Sequence, residues 1–138
     1  MTIIQMETQS AVLVDDCRYP TEIHSSLRTA VPMNESLVEF NSIAWDNFAP
    51  GAREKRVTRD NTSLRLLEFS PPFVEHDWCV KSHAGYVVDG RFSVQFRDRK
   101  ESFVAGEGIL LRGGDSNAHK AIVDQLVVLF LVETHVDG

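Results

Sequence analysis

Three of the chain's five histidines, His76, His83 and His119, fall in strand-like contexts between residues 76 and 119. Three neutral imidazoles converging in one interior would bind a first-row divalent metal and leave positions open for water or substrate. A histidine on an apolar face is by default a core residue hydrogen-bonded to something nearby. What raises the alternative is company. The spacing is not diagnostic, since no short H-x-H or H-x3-H pair occurs, and the elements that carry the rings must decide.

The strongest local signal is Asp89-Gly90 between two apolar runs. It predicts a two-residue type I′ hairpin, because Gly and Asp tolerate the positive φ such a turn needs. Val87 would then oppose Phe92, Gly85 would oppose Val94, and His83 would oppose Phe96. Parity puts His83 on the face of Phe92, Val94 and Phe96, pointing inward. His76 shares parity with Val74 and Trp78, and His119 with Ala121 and Val123.

Around this hairpin the sequence reads as short strands separated by turns. Candidates are Leu64 to Phe69, Tyr86 to Val88, Arg91 to Arg97, Ser102 to Val104, Ile109 to Leu111, His119 to Val123 and Leu126 to Val132. Pro71-Pro72, Gly106 to Gly108, Gly113-Gly114 and Asp124-Gln125 punctuate them. Regular short strands without helical periodicity predict an all-β antiparallel sandwich or barrel. The first sixty residues carry weaker signals. Thr21 to Val31 is a candidate short helix, and Val12 to Val14 and Leu37 to Phe40 are candidate edge strands. Trp45 to Arg59 reads as a connecting loop. We expect one domain overall, with residues 1–60 an N-terminal extension and residues 61–138 the barrel.

The chain has 138 residues, of which 43% are apolar and 25% charged, which suits one soluble globular unit. Its net charge of −6 lacks the basic footprint of a nucleic-acid binder. No apolar run approaches the ~18 residues of a membrane span. The start of the chain has neither a basic region nor a long apolar stretch, so no secretory signal is expected. Cys17 and Cys79 form no CxxC pattern, and a reduced, cytoplasmic setting is the expectation.

Other chemistry finds little support. Asp77 is a candidate base or metal-supporting carboxylate, although aspartate is mostly a surface residue. Glu107 reads as a turn residue. Ser82 and Ser116 lack a G-x-S-x-G context, and Gly106-Glu-Gly108 precedes a strand rather than the helix a phosphate loop requires. Arg53, Lys55, Arg56 and Arg59 read as a solvated basic face.

Residues 64 to 132 resemble a small cupin barrel. Gly90 matches the glycine of that family's first motif, and Tyr86 to Gly90 resembles its usual hairpin. His76 matches the first motif histidine, Trp78 replaces the second, and His83 stands where the glutamate usually sits. Gly106 and His119 match the second motif, and the Trp45 to Val57 stretch resembles the lead-in of several small cupins. The resemblance implies a jelly-roll barrel whose divalent metal (Fe, Zn, Mn or Ni) is held by His76, His83 and His119, or a degenerate site holding none. With a one-residue slip, Asp77 and Cys79 take the paired positions, and Cys79 becomes a thiolate candidate, although a lone cysteine is more often a small buried hydrophobe.

Some similar small cupins are three-histidine dioxygenases, so oxygenation of a small organic substrate at Fe(II) is the leading expectation. Phe92, Val94, Phe96 and Trp78 would supply the apolar wall. The alternative is a non-enzymatic ligand-binding or sensory cupin with zinc or no metal. A small-molecule ligand and a homodimer are the expected partners; nucleic acid and membrane are not.

Overall fold

The computed structural model describes residues 36–135. Within them the chain forms eight strands, and every pairing among them is antiparallel. They are β1 (Asp46–Ala49), β2 (Ala52–Arg59), β3 (Thr62–Phe69), β4 (His83–Phe96), β5 (Lys100–Val104), β6 (Gly108–Leu111), β7 (His119–Ile122) and β8 (Val127–Thr134). Their order is β1-β2-β3-β8-β4-β5, with β6 and β7 also pairing to β4. The all-β expectation holds, and the strands wrap around a single apolar core.

Alternation builds that core. Ser63, Arg65, Leu67 and Phe69 of β3 are buried, as are Val127, Leu129 and Leu131 of β8. Every second side chain of these strands turns inward, as a pleated strand with one covered face requires. Burying an aliphatic or aromatic side chain of this size stabilises the fold by roughly 1.5–3 kcal/mol.

β4 holds the architecture together, and here the hairpin expectation fails. Asp89-Gly90 is not a turn: the strand runs unbroken for 14 residues through it. Its first half pairs with β6 and β8, and its second half with β5 and β7. The pairing with β8 shifts register between Val87 and Asp89, which marks a bulge. Gly90 has φ +80°, and a Cβ there would run into the carbonyl oxygen of Leu126. The same Asp-Gly chemistry that serves a turn therefore serves a bend within one strand.

The bulge also reverses parity. His83 and Val87 point inward before it, and Phe92, Val94 and Phe96 point inward after it. His83 thus reaches the interior as expected, but by another route. It pairs with Leu111 rather than Phe96, and Phe96 pairs with His119.

Two other expectations change. Trp45 to Arg59 is not a loop, since β1 and β2 occupy most of it and β2 pairs with β3 along its whole length. Leu37 to Phe40 is not a strand; it leads into a 3-10 turn at Phe40–Ser42. Val12 to Val14 and Thr21 to Val31 lie outside the described residues. No described helix is long and apolar enough to cross a membrane.

Candidate metal centre

The site is assembled around β7. Cys79, in the segment before β4, forms an isolated antiparallel bridge with His119. Phe96 of β4 flanks His119 on the other side. Directly paired residues project to the same face of a sheet, so both neighbours of His119 accompany it inward. His83 enters from the start of β4. The His83 and His119 ring centroids are 5.5 Å apart at 78°. One ligand atom from each of Cys79, His83 and His119 lies within 4.8 Å of the others, and this cluster could hold a metal ion.

Hydrogen bonds fix which nitrogen each ring presents. His119 Nδ1 is 3.0 Å from the Asn117 carbonyl oxygen, which can only accept. Nδ1 therefore carries the proton and Nε2 carries the lone pair. That Nε2 is buried and has no hydrogen-bond partner. Burial is the main reason the His119 pKa is lowered; the His83 charge adds to this, and the Asn117 bond opposes it. The ring is thereby held in the neutral form a metal requires.

His83 Nδ1 is 3.1 Å from Glu133 Oε2, and its Nε2 is 3.6 Å from Cys79 Sγ. Burial pushes the Glu133 pKa up, but Arg65, the His83 hydrogen bond and charge, and Arg56 together hold it well below the usual carboxylate range. A carboxylate only accepts hydrogen bonds, so His83 Nδ1 donates, and Nε2 is the ring nitrogen that faces the cluster. The donor set fits a transition metal: imidazole suits Zn, Cu, Fe and Ni, and thiolate favours the softer ions.

Cys79 is disulfide-bonded in this structure, which departs from the reduced setting expected of the two cysteines. Its sulfur becomes a thiolate donor only on reduction, whereas the two imidazoles need no such change.

Beside the cluster is a cavity of about 60 Å³. Phe48, Leu67, Phe69, Phe92, Val94 and Leu129 form much of its apolar wall, and Arg65, Glu75, His83 and His119 are its polar side chains. Arg65 is almost wholly buried, with Nε 2.8 Å from Glu54 Oε1 and Nη1 2.7 Å from Glu133 Oε2. Glu75 Oε1 accepts the Ala121 N–H at 2.6 Å.

Of the residues singled out from sequence, His83 and His119 come together with Cys79, and Phe92 and Val94 line the cavity. His76 does not join them. It is exposed and lies outside the cluster, because its segment runs irregularly between β3 and β4 rather than as an inward-facing strand. Asp77 is exposed as well. Trp78 is not on the cavity wall; its ring lies 4.4 Å from the Arg97 guanidinium carbon and 4.9 Å from Lys120 Nζ. Phe96 is buried with its ring 6.0 Å from that of His119, but it too is off the wall.

The sequence reading missed Glu54, Arg65, Glu75 and Glu133. Strand parity carried a signal for two of them: Arg65 alternates with Leu67 and Phe69, and Glu133 with Leu129 and Leu131.

No protein-family model matches the chain, and no curated protein matches it in sequence. Solved structures do match. An RmlC-like cupin from Shewanella frigidimarina aligns with TM-score 0.61 at 15% identity, covering 75% of this chain and 93% of its own. A sugar phosphate isomerase of the cupin superfamily from Silicibacter pomeroyi aligns with TM-score 0.59 at 15% identity, covering 72% and 76%. The polyketide cyclase RemF from Streptomyces resistomycificus aligns with TM-score 0.59 at 19% identity, covering 70% and 76%. The fold is that of a small cupin domain.

Proposed function

We propose that this cupin is a metal-dependent enzyme that binds a small organic substrate in the barrel cavity, and that with Fe(II) it acts as a dioxygenase. The observation that carries the reading is the His119 Nε2 lone pair, buried without a partner beside His83 and the cavity. Leaving such an acceptor unsatisfied costs roughly 1–3 kcal/mol, a cost that a bound cation would offset.

The residues that would hold the ion are His83 and His119, joined by Cys79 when its sulfur is reduced. Fe(II) would supply the redox chemistry that dioxygen requires, whereas zinc would act as a Lewis acid. The chain's own side chains do the rest. Phe92, Val94 and their apolar neighbours exclude water, and Arg65, its charge met by Glu54 and Glu133, fixes the carboxylate that holds the His83 ring.

A second reading is a zinc-holding module that binds a ligand without turning it over. Once reduced, the Cys79 sulfur would favour it, since thiolate selects softer ions. Solved cupins of this fold include an isomerase and a cyclase, and a fold alone does not choose between chemistries. Reduced protein loaded with iron or with zinc, and offered diketones, thiols and keto acids under air in an oxygen electrode, separates the readings. Oxygen uptake by the iron form alone supports the dioxygenase. Zinc retained tightly, with no uptake on any substrate class, contradicts it in favour of the binding module.

A further inference from the structure

We propose that Glu133 is a positioning residue, held by Arg65, that fixes the tautomer and direction of the His83 ring. The inference rests on reading His83 as a metal donor and deepens that reading.

A line of charged side chains crosses the inner face of the sheet through four adjacent strands, from Glu54 on β2 to Arg65 on β3, Glu133 on β8 and His83 on β4. One oxygen, Glu133 Oε2, receives both Arg65 Nη1 at 2.7 Å and His83 Nδ1 at 3.1 Å. The side chains are 3% exposed for Arg65, 13% for Glu133 and 10% for His83. Arg65 is anchored a second time at Glu54, so its guanidinium plane, and with it the position of Oε2, is set from two sides.

A purely structural ion pair does not require this arrangement. Glu54, shared with Arg56 at 3.4 Å, already gives Arg65 a buried counter-charge, and charge balance alone does not ask that Glu133 also stand beside the His83 ring. What Glu133 adds is a contact with the imidazole. A neutral imidazole can carry its proton on either nitrogen. With Glu133 accepting from Nδ1, the Nε2 lone pair turns toward Cys79 and His119. Without it, the Nε2–H tautomer becomes available and the ring loses its donor atom on that side. Carboxylates that hold a ligating histidine in this way typically contribute 10- to 100-fold in metal affinity.

The test uses the full chain, reduced, in two arms. In metal-free, nitrogen-15-labelled protein near neutral pH, NMR should show wild-type His83 protonated at Nδ1. Glu133→Ala should move the proton toward Nε2, and Glu133→Gln, which keeps an oxygen acceptor, should retain Nδ1–H. In zinc titrations by calorimetry, Glu133→Ala should bind about 10- to 100-fold more weakly than wild type, with Glu133→Gln closer to wild type. Wild-type His83 protonated at Nε2, or a tautomer unchanged in Glu133→Ala, overturns the proposal. The wild-type spectrum and the Gln variant decide it even where Glu133→Ala does not fold. Wild-type protein that binds no zinc yet shows the expected tautomers removes the metal reading while leaving the hold of Glu133 on the ring in place.

Discussion

Cys79 and His119 exchange both backbone hydrogen bonds, at 2.8 and 2.9 Å, and so project their side chains to one face. This bridge brings a residue from the segment between β3 and β4 beside β7, 40 positions further along the chain (119 − 79). His83 completes the group because β4 begins four residues after Cys79. The centre is therefore a product of strand pairing, which explains why no compact ligand motif announces it.

Arg65 is the residue whose loss should cost the fold most. Arg65→Met leaves the carboxylates of Glu54 and Glu133 in the interior without its charge, and removing one partner of a buried pair typically costs about 3–5 kcal/mol. Replacing Glu54, Arg65 and Glu133 together by apolar residues of similar volume should recover most of that loss. Urea denaturation of the two variants checks this; a single variant as stable as wild type would refute it.

Acid should weaken the metal-free protein in two steps. His119 has a native pKa below its ordinary 6.5, so the unfolded chain takes up a proton first and stability falls as the pH drops through that value. Glu133 has a native pKa below its ordinary 4.5, so its contribution is intact above that value and is lost progressively below it. Denaturant midpoints between neutral pH and pH ~3 measure both. In His119→Phe the upper step should shrink while the lower one persists.

Gly90→Ala should destabilise the barrel by more than about 1 kcal/mol, since alanine at positive φ is strained and its Cβ meets the Leu126 carbonyl. Thermal melting reads the effect. An unchanged melting temperature would mean that β4 bends elsewhere.

We propose that the chain forms a homodimer, supported by Tyr86 and the 84%-exposed Leu110, which project outward on the same face of β4 and β6. Light scattering at micromolar concentration should return the mass of two chains, and Leu110→Asp should lower it. A monomer in the wild type would refute the proposal.

Much of the barrel was legible because β3, β8 and the second half of β4 alternate in hydrophobicity. The Asp-Gly signal is ambiguous because turns and bulges ask the same backbone freedom of glycine, and only the pairing with β8 distinguishes them. His76 departs from its expected inward position because strand parity does not extend into the irregular segment that carries it. Arg65 and Glu133 went unnoticed because charged residues in strands ordinarily face water. They lie 68 positions apart, and their burial depends on meeting each other.

The central claim is that His83 and His119 jointly hold an ion. Elemental analysis of reduced wild-type protein after metal loading and desalting, alongside His83→Ala and His119→Phe, tests it most directly. We expect about one ion per chain in the wild type and none in either variant, by analogy with other imidazole-ligated sites, with both variants still cooperatively folded. An ion retained in both variants, or a wild type that retains none, would contradict the account.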